Sequence, residues 1–418
     1  MRTMQKQPVL TVEIGLPKLH RQQKLVATDP RRFRVLVAGR RWGKTRLGAL
    51  LSVAEAAQGK RCWWLAPTYG MAMVGWREIL ALAYQFPEPA QAVVRRGDLR
   101  VVFPFSGGWV QVRSADDPDR LRGEGLDFVV FDEAALIDPR AWHEVIRPAL
   151  ADRRGRALFI STPRGRNWFW QLYQMAERRP DEWAAFHFPT NGNPFVPQSE
   201  VELARQTLPD RVFRQEFLAE FVEDGGGVFR NVRTLARAEL QTAPYDGHLY
   251  VVGVDWGKFE DYSVFVVLDV TARAVAEVVR INRVDYQVQI GALAQLCRRF
   301  RPVMVLVERN AIGEPLLEQL LRQGLPVQPF AMTAATKLVL VDSLALALER
   351  EELLLPSWPE AAWLLEELEA FTANRTPSGM LSYGAPPGMH DDGVIALGLA
   401  NLAAGYATPP RYGPTIWG

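Results

Sequence analysis

Cysteine is almost absent. Cys62 and Cys297 are the only two in 418 residues, far apart and without a CxxC pair. That argues against a disulfide framework and against a zinc centre, and both thiols are expected to be buried and reduced. No apolar run approaches the roughly 20 residues a membrane-spanning helix needs. The charged opening Met1 to Leu10 leads into no apolar segment, so neither a signal peptide nor a membrane partner is expected, and the cytoplasm is the expected compartment. Net charge is also scarce: 49 Lys+Arg against 47 Asp+Glu leave +2, so bulk charge does not announce a nucleic-acid partner. Lysine itself is rare, since seven of those cations are Lys and 42 are Arg. Arginine's planar fork suits phosphate and carboxylate, although a GC-rich genome explains the same bias.

The length exceeds what one hydrophobic core serves and fits two domains. The first half alternates apolar strands (Phe33 to Ala38, Cys62 to Ala66, Leu126 to Phe131, Ala157 to Ile160) with helical patterns such as Lys44 to Gln58. This predicts an α/β sheet that is mostly parallel. A helical stretch, Arg211 to Phe221, precedes Gly225-Gly226-Gly227, a linker signal. The expected division is a first domain over 1–222, a linker over 223–230, a second domain over 231–406 and a flexible tail over 407–418. The second half opens on three consecutive strand patterns (Leu249 to Asp255, Ser263 to Val270, Ala274 to Ile281). Helix (Gln287 to Phe300), strand (Val303 to Val307) and helix (Glu314 to Arg322) follow. A mixed α/β sheet with its first three strands antiparallel is predicted.

Two constellations carry chemistry. Ala38-Gly39-Arg40-Arg41-Trp42-Gly43-Lys44-Thr45 lies between a strand and a helix and fits a P-loop, with Ala38 where the first Gly is usual. Gly39, Arg40, Arg41 and Gly43 would surround ATP phosphates with backbone N–H groups, Lys44 would reach the β and γ phosphates, and Thr45 would ligate Mg²⁺. The strand Leu126 to Phe131 ends in Asp132, a candidate Mg²⁺ ligand, and Glu133, a candidate to orient the attacking water. Ser161-Thr162-Pro163 ends a later strand and could sense the γ-phosphate, and Gln23 could read the adenine edge.

The second constellation is acidic. Asp255 ends one strand, Asp261 precedes the next, Glu308 ends a third, and His390-Asp391-Asp392 opens the apolar helix from Val394 to Ala404. Carboxylates at the ends of apolar elements are costly unless cations compensate them. Asp255, Asp261, Glu308, Asp391 and Asp392 could converge on a pair of Mg²⁺ ions, with Mn²⁺ able to substitute, for phosphodiester cleavage.

In this order the motifs resemble the large terminase subunit of tailed bacteriophages and prophages. Asp117-Pro118-Asp119-Arg120-Leu121-Arg122-Gly123 and Phe213-Arg214-Gln215-Glu216-Phe217-Leu218-Ala219-Glu220-Phe221 belong to the likeness, which runs from Leu19 to Ala404. It implies an N-terminal P-loop ATPase of the ASCE (RecA-like) class and a C-terminal ribonuclease-H-like nuclease. The implied function is genome packaging: ATP hydrolysis drives double-stranded DNA into a procapsid, and a metal-dependent endonuclease cuts it. Implied partners are the portal protein, the small terminase subunit, and further copies in a ring formed on the portal, with a monomer possible in solution. The implied place is the host cytoplasm at the procapsid, not the mature virion. Catalytic roles then fall to Glu133, Asp255, Glu308 and Asp392, and Arg120 or Arg122 could complete a neighbouring subunit's site. Ile395 departs from the pattern, because many relatives carry a second Asp there. Two alternatives stay open: a repair helicase-nuclease, and a motor whose second half is a non-catalytic DNA clamp or portal adaptor.

Overall fold

The computed structural model describes residues 17–88, 90–222, 227–257, 262–375 and 381–407. The chain divides into two compact units, Met1–Gln206 with Arg211–Glu223, and Thr207–Asp210 with Asp224–Gly418. Asp261, linker residues 223–226 and tail residues 408–418 lie outside the described residues.

The first unit is built on eight strands: β1 (Phe33–Ala38), β2 (Arg61–Ala66), β3 (Val93–Arg95), β4 (Arg100–Phe103), β5 (Gly108–Ser114), β6 (Phe128–Asp132), β7 (Arg156–Ser161) and β8 (Trp183–Phe188). Their order is β3-β4-β5-β2-β6-β7-β1-β8. The run from β5 to β8 is parallel, as the alternation predicts, while β3, β4 and β5 form an antiparallel edge. Successive β1 side chains enter different cores: Leu36 and Ala38 pack with Leu47 and Val53, whereas Val35 and Val37 pack with Trp142 and Phe159. A strand covered on both faces needs a continuous apolar run. The exception is Arg34, 1% exposed, whose guanidinium donates to Val26 O (2.8 Å) and Ala27 O (3.3 Å). It thereby satisfies carbonyls at the end of the Arg21–Thr28 helix, which have no partner within that helix. Burial lowers its pKa to about 10.

The helix expected over Arg211 to Phe221 is shorter, Asp210–Glu216. Its last carbonyls leave the helical ladder: Glu216 O accepts the Arg40 N–H at 2.7 Å and Phe217 O accepts the Thr190 N–H at 2.7 Å. Ala219 then turns at φ 59°.

After a short strand β9 (Ala236–Ala238), the second unit forms a five-stranded sheet of β10 (Tyr250–Asp255), β11 (Ser263–Asp269), β12 (Ala274–Ile281), β13 (Met304–Glu308) and β14 (Val327–Phe330). The order is β12-β11-β10-β13-β14. The first three strands are antiparallel, and β13 and β14 run parallel to β10. The helix after β13 spans Arg309–Arg322, starting earlier than its sequence pattern suggests. The apolar helix Asp392–Ala407 lies across β10. Gly253 permits that approach, because a Cβ there would sit 2.0 Å from Ala396 O and 2.3 Å from Ala400 N. Both cysteines are buried and free. No described helix is long and apolar enough to cross a membrane.

Candidate active sites

The loop from β1 to the Lys44–Ala57 helix turns through Arg41 (φ 63°) and Gly43 (φ 99°), left-handed backbone that a glycine adopts at least cost. Gly39 is fixed by crowding, since a Cβ would come within 2.4 Å of Thr190 Oγ1 and 2.6 Å of Phe217 O. Thr190 Oγ1 donates to Arg40 O (2.7 Å) and Asn193 Nδ2 to Arg41 O (2.8 Å), so the loop is tied from outside. Lys44 turns its ammonium inward and donates to Ala38 O (2.7 Å) and Gly39 O (3.0 Å). Burial lowers the Lys44 pKa, against the charges of Glu133, Asp132 and Glu216.

Asp132 ends β6 and is 4% exposed. Burial and the neighbouring Glu133 raise its pKa to about 7, opposed by Lys44 and by a hydrogen bond from the Thr45 hydroxyl. Its Oδ1 is buried with no hydrogen-bond partner among the described residues. Glu133 sits at φ 48°, ψ 47°, a left-handed conformation unusual for a side chain of this size and costing on the order of 1 kcal/mol. Its Oε2 accepts from Ser161 Oγ at 3.1 Å. Ser161 and Thr162 are themselves buried. Lys44, Thr45, Asp132, Glu133 and Ser161 thus meet at one end of the parallel strands.

Gln23 lies beside the phosphate loop. Its Oε1 accepts the His20 N–H (3.2 Å) in a capping box, and its Nε2 donates to Gly43 O (3.2 Å). Gln23 is 6% exposed, and its amide braces the loop. Gln22 Oε1 accepts from Trp42 Nε1 (2.7 Å), and Trp42 stacks on Phe188 with ring centroids 5.4 Å apart. Arg120 and Arg122 flank an exposed turn, where Arg120 pairs with Asp117 (3.1 Å) and Arg122 with Asp119 (3.0 Å). The sequence did not single out Glu216 or Arg164. Glu216, buried at the end of its helix, pairs with Arg40 of the loop and with Arg164 (3.2 Å) beyond Pro163.

In the second unit, β10 and β13 are parallel neighbours, so Asp255 and Glu308 leave the sheet side by side. The two carboxyls are close enough for each to act on the other's pKa. Burial, then the charges of Glu308, Asp392 and Asp391, push Asp255 well above the ordinary carboxylate range, against Lys337. Glu308 is raised as well, by burial first. The turn after Asp255 is braced: Gly257 N donates to Ser263 Oγ (3.0 Å), which donates to Gln289 Oε1 (2.7 Å). Asp391 accepts from Lys337 Nζ at 3.1 Å, and His390 Nδ1 lies 3.5 Å from Asp392 Oδ2. Ile395, one turn on, is buried in the apolar core.

Two more groups escaped sequence reasoning. Glu367, 5% exposed on the Ala362–Ala370 helix, accepts the Gly393 N–H (2.9 Å) and Arg280 Nη2 (3.0 Å). Arg280 lies between the Tyr262 and Trp363 rings, its Cζ 3.6 and 4.3 Å from their centroids. Burial raises Glu367 to about 7. Among the described residues no three His, Cys, Asp or Glu side chains are gathered tightly enough to hold a metal ion unaided. Glu308, Asp392 and Asp391 are near enough to raise Asp255 further without forming a closed shell.

Comparison with known proteins divides the chain along the same lines. Residues 35–234 match the N-terminal domain described as terminase large subunit, T4likevirus-type, and residues 252–403 match the terminase RNaseH-like domain. The large terminase subunits of Thermus phage G20c and Thermus virus P23-45 are each 32% identical over 429 residues, covering 92% of this chain and 87% of the relative. A large terminase of solved structure, from a thermophilic bacteriophage, shares the fold over 91% of this chain and 98% of its own, with TM-score 0.57 at 15% identity. With a P-loop sheet followed by a ribonuclease-H-like sheet, this chain belongs to the large terminase subunit family, which joins an ATPase to a metal-dependent nuclease.

Proposed function

We propose that this chain is a viral genome-packaging motor. ATP hydrolysis in the first unit drives double-stranded DNA into a procapsid, and the second unit cuts concatemeric DNA when packaging begins and ends. Its partners would be DNA, the portal protein, the small terminase subunit and further copies in a ring at the portal, in the host cytoplasm. The observation that carries this reading is one chain holding two separate polar sites, each at the ends of parallel strands. One is lined by cations suited to phosphate and the other is crowded with carboxylates.

In the first site Lys44 would exchange its loop carbonyls for the β and γ phosphates. Thr45 and Asp132 would hold Mg²⁺, and the partnerless Asp132 Oδ1 fits a ligand oxygen. Glu133, held by Ser161, would orient the attacking water. Ser161 and Thr162 would report loss of the γ-phosphate.

In the second site Asp255, Glu308, Asp392 and Asp391 form an all-oxygen donor set suited to Mg²⁺ or Mn²⁺, and Asp261 would join them. Burial first, and then the neighbouring carboxylates, raise Asp255 and Glu308, and a divalent cation would relieve that repulsion. Two such cations, when bound, supply an activated water and positive charge at the leaving oxygen. Lys337 would offset Asp391 meanwhile, and Glu367 would fix the start of the Asp392–Ala407 helix. The buried Ile395 favours a second reading, a non-catalytic DNA clamp. Supercoiled plasmid with Mn²⁺ decides. Asp255→Asn should lose nicking by orders of magnitude and keep its ATPase activity. Equal nicking by Asp255→Asn and the unaltered chain would overturn the nuclease assignment and favour the clamp.

A further inference from the structure

We infer that Arg280 is a positioning residue of the second site: it braces residues 390–393 from two sides and so holds Asp391 and Asp392 where a divalent cation needs them. The inference rests on the reading of those two acids as metal ligands.

Arg280 lies near the end of β12 and pairs across the sheet with Val264, which shares a core with Val394 of the Asp392–Ala407 helix. Directly opposed residues of antiparallel strands point to one face, so Arg280 stands on the face that this helix covers. Its guanidinium carbon lies 3.6 Å from the Tyr262 ring centroid and 4.3 Å from that of Trp363. Tyr262 in turn meets the His390 ring edge-on, with centroids 5.0 Å apart. On the other side Arg280 Nη2 donates to Glu367 Oε1 (3.0 Å), and Glu367 Oε2 accepts the Gly393 N–H (2.9 Å). One path from Arg280 thus ends on the residue before Asp391, and the other on the residue after Asp392. The fit at Gly393 is close: a Cβ there would sit 2.6 Å from Trp363 Cζ3 and 2.7 Å from Glu367 Oε2. Any displacement of Trp363 or Glu367 therefore reaches the start of the helix.

Asp391 and Asp392 act as like charges on Asp255 and also on Glu367. Acids that repel one another drift apart unless they are held, and a misplaced ligand binds a cation more weakly. Stability alone does not account for the brace. The Arg280 and Glu367 side chains are 20% and 6% exposed, and a pair so desolvated is often matched by apolar residues of similar volume. What apolar packing lacks is direction. A planar cation between two rings, with its fork on a carboxylate, fixes both partners at once. Lysine would keep the charge and lose the plane.

Mn²⁺ binding to the full chain, read by isothermal titration calorimetry without DNA, tests this on Arg280→Lys and Arg280→Gln. Asp255→Asn serves as the blank for cations bound elsewhere. Kd for Mn²⁺ should rise about tenfold in both variants, the usual cost of disturbing groups that orient metal ligands. Plasmid nicking should need correspondingly more Mn²⁺ and approach its normal maximum at saturation. A residue that only supports the fold would lower that maximum at unchanged Kd, and that result overturns the inference. Unchanged Kd with weaker binding of duplex DNA in chelator also overturns it, and would make Arg280 a phosphate contact. If the Arg280 variants do not fold, Tyr262 serves. Tyr262→Leu removes one face of the sandwich and should raise Kd, whereas Tyr262→Phe should restore it. Equal Kd for Tyr262→Leu and the unaltered chain overturns the inference. A blank that binds Mn²⁺ as the unaltered chain does would instead overturn the metal-site reading itself.

Discussion

Both polar sites sit at the ends of parallel strands, but their charges are balanced differently. Around the phosphate loop, Asp132, Glu133 and Glu216 face Lys44, Arg40 and Arg164, so each sign is largely compensated from within the chain. At the β10–β13 ends, Asp255, Glu308, Asp391 and Asp392 face Lys337, with His390 beside Asp392. The first site suits an anionic substrate that displaces carboxylates from cations. The second suits cations that must come from solution. The same strand-end geometry therefore serves opposite electrostatic tasks, and the surrounding helices decide which.

The largest expected effect breaks the first balance. Lys44→Ala removes the cation inside the loop, and ATP hydrolysis should fall by about 10²–10³-fold. Phosphate release measured on the full chain checks this, and plasmid nicking should stay unchanged. A smaller effect sharpens the contrast with carboxylates that serve structure alone. Asp269 is wholly buried, yet the Ala272 amide (2.9 Å), His248 (2.7 Å) and Gln241 (3.1 Å) outweigh burial and hold its pKa below the ordinary 3.8. A lowered folded-state pKa gives stability that is present above 3.8 and lost as pH falls through the folded value. Asp269→Asn should cost about 1–3 kcal/mol at neutral pH. In urea denaturation the difference from the unaltered chain should shrink below about pH 4.

Lys337→Met tests the second balance directly. Without its ammonium the acids are less compensated, so the Mg²⁺ concentration giving half-maximal nicking should fall about fivefold. A rise would mean that Lys337 serves the substrate, not the acids. The smallest effect concerns Arg122, paired with Asp119 in exposed surroundings. Arg122→Ala should change stability by less than about 0.5 kcal/mol in thermal unfolding. If Arg122 completes a neighbour's site, mixing this variant with Lys44→Ala should restore ATP hydrolysis that neither shows alone. No recovery at any ratio would assign Arg122 to its local acids.

The sequence is most legible where chemistry is local in the chain. The β1–loop–helix pattern around Lys44, the acids closing β6, and Asp255 and Glu308 at strand ends each follow from a few consecutive residues. The parallel and antiparallel portions of the two sheets follow from the order of strand patterns. What escapes is assembled by packing. Arg164 and Glu216 are 52 residues apart by number and meet only because the Asp210–Glu216 helix ends beside the phosphate loop. Glu367, Arg280 and Lys337 come from three elements whose convergence no local pattern encodes. Gln23 stands out in the sequence, but its partners, the His20 amide and the Gly43 carbonyl, become apparent only in the fold.

The division of the chain has a practical consequence for anyone dissecting it. Thr207–Asp210 fold with the second unit although Arg211–Glu223 return to the first. Asp210 donates its N–H to Glu349 Oε2 (2.8 Å) and its carboxylate pairs with Arg230 (3.1 Å). The polypeptide therefore passes between the units three times, at 206/207, 210/211 and 223/224. Cutting at the glycine-rich stretch would leave those four residues on the wrong fragment. A nuclease fragment begun there would lack two ties at Asp210, and an ATPase fragment ended there would carry an orphaned turn in the middle of its chain.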